Sequence, residues 1–110
     1  MLGLNNFQDY SEEEVKACLV EEYSGPTEEV NKYDILIAYE ETSDYGSSSW
    51  FLLEEKETKK LFEVYASRSS WYSYEGQWYP TPTTATLLKS SHLATRVKDI
   101  PEVKIFIQQL

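Results

Sequence analysis

Three short runs rich in β-branched, aromatic and aliphatic residues, at 34–40, 48–54 and 61–66, are joined by links too short to carry the chain across a sheet. The first link, 41–47, is polar and carries a glycine, and the second, 55–60, is wholly polar. Parallel neighbours need a crossover of about a dozen residues or more, so this spacing predicts an antiparallel meander closed by hairpins. In the third run Phe62, Val64 and Ala66 alternate with Leu61, Glu63 and Tyr65, which predicts one buried face and one partly wet face.

The cover for the buried face is predicted upstream. Ser11-Glu12-Glu13-Glu14 forms a capping box, and Tyr10 and Val15 stand where a hydrophobic staple would close over it. A helix over 12–23 follows, with Val15, Cys18 and Leu19 on its inner stripe and acids against the positive end of its dipole. Ser24-Gly25-Pro26-Thr27 ends it, because proline cannot continue the hydrogen-bond ladder. Pro80-Thr81-Pro82-Thr83-Thr84 reads as a rigid connector whose threonines cap a short helix near 85–90. Behind Pro101, Val103, Phe106, Ile107 and Leu110 keep helical spacing; the competing alternation of Val103, Ile105 and Ile107 would make a strand instead. With 110 residues there is material for one core. The expectation is therefore a single α+β domain, 1–110, in which an antiparallel sheet of three or more strands packs against the N-terminal helix, with short helices at the C-terminal side.

Charge is distributed unevenly. Residues 1–57 hold fifteen acids and three bases, whereas residues 58–110 hold four acids and seven bases. Such a field repels nucleic acid and membrane surfaces and attracts basic protein surfaces, over a screening length of about 8 Å at physiological salt. No apolar run approaches the length of a membrane span, and the start of the chain, Met1 to Asn6, has neither a basic region nor a cleavable apolar core. A cytoplasmic location is the expectation. Cys18 is the only cysteine, so the chain forms no internal disulfide and no multi-thiolate metal site, and Cys18 is expected to be an inert buried thiol.

Five of the nine residues from Trp71 to Tyr79 are aromatic. Trp78 and Tyr74 are expected to lock this segment onto the sheet as core residues. The five rings of 71–79 compete with Trp50, Phe51, Phe62 and Tyr65 for a small interior, so some of them are expected to remain partly exposed, and Trp71, Tyr72 and Tyr79 are the expected interface anchors. Stacking on single-stranded nucleic acid would need a basic groove that a net charge of −9 does not supply.

Enzymatic signatures are missing from the pattern. The sole histidine, His92, is expected to be solvent-exposed, and no Gly-x-Ser-x-Gly elbow accompanies it. Four scattered glycines build no phosphate-cradling loop, and Asp44-Tyr45-Gly46 lacks the spaced oxygens of a calcium loop, so no cofactor and no metal are expected.

The segment from Ser67 to Leu88 resembles a family of small proteins encoded by tailed phages and prophages. Its shared stretch runs Ser-His-Cys-Ser-Cys-aromatic-Gly-apolar-Glu-Gly-Gln-Trp-x-Pro-Glu, then Thr-Thr and a short helix. The matching residues here are Ser67, Ser70, Tyr72, Glu75, Gly76, Gln77, Trp78, Pro80, Thr83, Thr84 and Leu88, and Tyr45 to Ser67 looks like the family's paired strands. Arg68, Ser69 and Trp71 stand at the His-Cys-x-Cys positions, so no thiolate or imidazole chemistry transfers. The resemblance implies a phage origin.

Together these readings predict a phage-encoded, non-enzymatic inhibitor that binds a host protein, in the manner of an anti-CRISPR, through an acidic, nucleic-acid-mimicking face. The partner expected is a nucleic-acid-binding defence effector with a basic surface. The residues expected to meet it are Glu12, Glu13, Glu21, Glu22, Glu28, Glu29, Glu40, Glu41, Asp44, Trp71, Tyr72 and Tyr79, with Glu54, Glu55 and Glu57 as further acids. The alternative is a carbohydrate- or nucleotide-binding domain or weak hydrolase that uses 71–79 as a stacking platform, and this alternative predicts a concave pocket. A phage structural or assembly protein is the third reading, told apart by its presence in virions.

Overall fold

The computed structural model describes residues 1–90, 97 and 99–110; the reading of His92 falls outside them. The sequence-predicted meander forms β2 (Tyr33–Ser43), β3 (Gly46–Glu55) and β4 (Leu61–Ser69), each pair antiparallel. The strands are longer than the apolar runs because most of the first polar link is itself strand, leaving only Asp44 and Tyr45 at the hairpin tip. Gly46 makes that tip possible. Its φ is +148°, and a Cβ there would lie 2.0 Å from the carbonyl oxygen of Arg68 on β4.

Two edge strands complete a five-stranded sheet in the order β1-β2-β3-β4-β5, so the sheet is mixed rather than wholly antiparallel. β1 (Leu2–Asn5) runs parallel to β2, with Leu2 opposite Ile37 and Asn5 opposite Glu40. The crossover that parallel pairing requires is supplied by α1 (Glu12–Glu21) and α2 (Thr27–Val30). β5 (Thr81–Thr83) is the segment expected to be only a connector. It pairs Thr81 with Glu63 and Thr83 with Leu61, and a proline is tolerated there because β5 is an edge.

The capping box of α1 forms as expected: Glu14 donates its N–H to Ser11 Oγ at 3.1 Å, and Ser11 donates its own to Glu14 Oε1 at 3.0 Å. Tyr10 packs edge-on against Phe7, with ring centroids 5.1 Å apart, and remains partly exposed. Val15, Leu19 and Tyr23 bury against Ile35, Ala38, Phe51, Leu53, Val64 and Ala66 on one face of the sheet. Cys18 is half-buried at the margin of this layer.

The opposite face is covered as well. Ile37, Tyr39, Trp50 and Leu52 pack under α3 (Ala85–Lys89) and α4 (Pro101–Gln108), through Leu88, Val103 and Ile107. Thr84 caps α3 and Pro101 opens α4, while Ile105 is exposed, so the helical spacing at the C-terminal side prevails over the strand alternation. Ile35 and Ala38 share one face and Ile37 and Tyr39 the other because the register shifts at Leu36, between Ile35 opposite Leu53 and Ile37 opposite Leu52. At this bulge Ile35 donates its N–H to the carboxylate of Glu12 at 3.3 Å, which ties α1 to the sheet. No helix among the described residues is long and apolar enough to cross a membrane.

One ion pair forms among the described residues, Lys16 with Glu12 at 3.5 Å, while Glu13, Glu21, Glu22, Glu28 and Asp44 are exposed. Screening their mutual repulsion should therefore stabilise the fold. Raising salt from about 0.05 to about 0.5 M at neutral pH is expected to add roughly 0.5–1 kcal/mol, a few degrees in Tm. A Tm that does not move with ionic strength would contradict this.

Candidate functional site

The aromatic segment is fastened by the residues that carried the family resemblance. Continuing the β4–β5 register beyond Glu63 and Thr81 brings Gln77 opposite Ser67. There the backbone ladder has ended, and the Gln77 side chain replaces it: its amide oxygen accepts the Ser67 N–H at 3.0 Å, and its nitrogen donates to the Ser67 carbonyl at 2.8 Å. Gly76 sits at φ +79° and donates its N–H to Ser24 Oγ at 3.0 Å. Trp78 is buried, donates Nε1–H to Glu29 at 3.1 Å, and presents its ring to Tyr33. Its backbone N–H reaches the Tyr23 carbonyl at 3.1 Å. Tyr74 is also buried, stacked on Tyr23 with centroids 4.4 Å apart and planes 8° from parallel. Trp78 and Tyr74 are thus core residues that lock the segment down.

What the lock holds in place is a turn at one end of the sheet. Tyr72 donates its N–H to the Ser69 carbonyl, and Ser70 donates to the carbonyl of Tyr45 at the β2–β3 tip, so turn and tip are tied together. Three rings stand out from this end, Trp71 at 91 %, Tyr45 at 86 % and Tyr72 at 76 % exposure. Two depressions at this end share Arg68 as a wall, one lined by Tyr72 and the other by Tyr45. The larger, about 490 Å³, is lined by Glu21, Glu22 and Glu75 together with Arg68, Tyr72 and Tyr74. The smaller, about 220 Å³, is lined by Glu41, Ser43, Tyr45 and Ser48, again with Arg68. Among the described residues Arg68 is the only base lining either, and its guanidinium lies over the Tyr74 ring, 5.3 Å from the centroid. The result is an acidic trough rimmed with aromatic rings. By contrast, Lys32, Lys56, Lys59 and Lys60 gather at the other end, where Lys56 donates to the Lys32 carbonyl and Lys60 closes the β3–β4 hairpin onto Glu55.

The acids expected to form one face divide into three groups. Glu21, Glu22 and Glu41 line the trough, with Asp44 at the tip beside it. Several others are occupied by structural work: Glu12 holds Ile35 and Lys16, Glu29 accepts from Trp78, and Glu40 accepts from Asn6 at 3.0 Å. Glu41 accepts from the Tyr39 hydroxyl, so it serves both. Glu13, in the first turn of α1, and Glu28, on α2, are exposed but do not line the trough. Tyr72 lines the larger depression and Trp71 stands exposed beside it in the same turn, whereas Tyr79, 74 % exposed, stands apart on the approach to β5. Sequence reasoning missed Arg68, Tyr45 and Glu75. Tyr45 carried a usable signal, a large ring beside a glycine in a hairpin tip, where side chains point to solvent.

Titratable groups beneath the trough are held unreactive. Burial pushes the Tyr74 hydroxyl up to about 12, with the Glu40 carboxylate acting in the same direction. Burial also raises Tyr23, partly offset by its hydrogen bond to Ser49 at 2.8 Å. The Cys18 thiol is pushed up to about 12, by burial first and then by Glu22, so it carries almost no thiolate at neutral pH. Among the described residues no three His, Cys, Asp or Glu side chains come together as metal ligands.

Fold and trough define a small α+β domain with a charged, ring-rimmed surface at one end of its sheet. Comparison with family models, curated proteins and solved structures finds none that matches the chain.

Proposed function

We propose that the protein is a phage-encoded, non-enzymatic inhibitor that binds a nucleic-acid-binding effector of a bacterial defence system, CRISPR effectors being the leading case. The observation that supports this most is the meeting of exposed Trp71, Tyr72 and Tyr45 with Glu21, Glu22, Glu41 and Glu75 at one end of the molecule. Tryptophan and tyrosine are the residues that most often anchor interfaces, and a compact set of carboxylates is attracted to surfaces built to hold phosphates. The phage origin rests on the Glu75-Gly76-Gln77-Trp78 resemblance.

The test is the plating efficiency of a sensitive phage on bacteria that carry defined nuclease-based defence systems, with and without this protein. Expression is expected to restore plating in at least one system; no rescue across a broad panel would overturn the reading. Glu21→Lys with Glu22→Lys should slow association with the identified effector about tenfold and flatten its salt dependence, since rim charges act mainly on encounter. Reversal at Glu29 would be uninformative, because that carboxylate holds Trp78. Trp71→Ala should act on dissociation and cost about 2 kcal/mol, read from surface-bound kinetics. If charge reversal leaves association unchanged and nucleic acid fails to compete, phosphate mimicry is wrong.

One observation favours the second reading. The larger depression is concave, and its volume of about 490 Å³ falls in the range of small-ligand sites. A sugar or nucleotide stacked on Tyr72 would perturb the Tyr72 and Ser73 amides on titration, with or without slow hydrolysis, and would leave phage plating unaffected.

A further inference from the structure

We infer that the larger depression is the seat for an arginine side chain presented by a basic segment of the partner protein; this rests on reading the trough as a protein-docking surface. The exposed rings of Trp71, Tyr72 and Tyr45 call for a covering surface, and the charge of the walls decides its chemistry. Glu21, Glu22 and Glu75 are exposed, with no described base in ion-pairing range of them. A guanidinium suits this combination better than an ammonium. It is planar and weakly hydrated, so it stacks flat on a ring while its in-plane N–H groups donate to carboxylates; an ammonium is a compact, strongly hydrated point charge. The chain already contains one example in the same depression, since Arg68 lies 5.3 Å over Tyr74. Tyr74 is immobilised by its stack on Tyr23, so that wall is built before any partner arrives. The neighbouring Tyr72 ring, 76 % exposed, is the one left for an incoming guanidinium.

The experiment titrates the full chain with three capped peptides, Gly-Arg-Gly-Arg-Gly and its lysine and citrulline counterparts, followed by amide NMR shifts. The arginine peptide is expected to move the Glu22, Tyr72, Ser73 and Glu75 amides and to bind about tenfold more tightly than the lysine peptide, with citrulline weakest. Tyr72→Ala should abolish the arginine preference, and Glu21→Gln with Glu22→Gln should weaken binding about fivefold. In both variants the Trp78 indole resonance must keep its position, which shows that the segment is still docked. Equal binding of arginine and lysine, shifts that map elsewhere, no binding at millimolar peptide, or the same shifts on raising protein concentration alone would each overturn the inference. If arginine and lysine bind equally while Glu21→Lys with Glu22→Lys still abolishes phage rescue, the arginine seat falls and the docking reading stands.

Discussion

Trp78→Ala is expected to lower the unfolding free energy by about 3–5 kcal/mol in urea titration. The ring is 8 % exposed and touches Tyr33, and the space above Gly25 is closed so tightly that a Cβ there would come within 3.2 Å of the indole. Truncation opens a cavity and takes the indole N–H away from Glu29. Single domains are stable by only about 5–15 kcal/mol, so the loss is a large share of the whole. Trp78→Phe isolates the hydrogen bond, because it keeps much of the ring and should cost about 1–2 kcal/mol. A negligible effect of the alanine variant would mean that 74–78 is not docked, and the trough would lose one wall.

Leu19→Ala should cost about 2–5 kcal/mol, since its side chain is fully buried between α1 and the sheet. The two sites are not independent. Gly25 donates its N–H to the Leu19 carbonyl, and a Cβ on Gly25 would meet both that oxygen, at 3.0 Å, and the Trp78 ring. The double variant is therefore expected to cost less than the sum of the single ones, by about 0.5–1 kcal/mol, as the two cavities relax into one another. Strict additivity would show that the helix and the aromatic segment are anchored separately.

How far the sequence could be read follows from how local each signal is. The capping box was legible because its partners stand three residues apart. The meander was legible because its links excluded the alternatives, and the last helix because its apolar spacing matched one turn after another. β1 was not, since Leu2-Gly3-Leu4-Asn5 carries little strand signal and finds its partner only at Ile37 to Glu40. The bulge at Leu36 left no trace, because every residue from Ile35 to Tyr39 is apolar and no alternation exists to break. In the candidate site the crowding of rings showed that some must stay exposed, but not which ones, because burial of Tyr74 and Trp78 depends on Tyr23 and Glu29 far away in the chain. The convergence of Glu21 and Glu22 with Glu75 around Arg68 was not legible, because it depends on where α1 ends relative to a turn fifty residues further on, held there by Gly76 and Ser24.

β1 has a consequence for how the chain fails. The meander joins neighbours in sequence and closes small loops, so it should form early, whereas β1 must wait for a long loop to close through α1. Leu4→Ala is thus expected to speed unfolding and leave the folding rate nearly untouched, a φ-value near zero, while Leu52→Ala in β3 should slow folding. When β1 detaches first, the backbone of Ile37 to Glu40 becomes a bare edge flanked by apolar side chains, open to a strand from another molecule. The four residues of β1 are therefore expected to guard that edge, and weakening them should raise the tendency to form intermolecular β-structure before the domain as a whole has lost its shape.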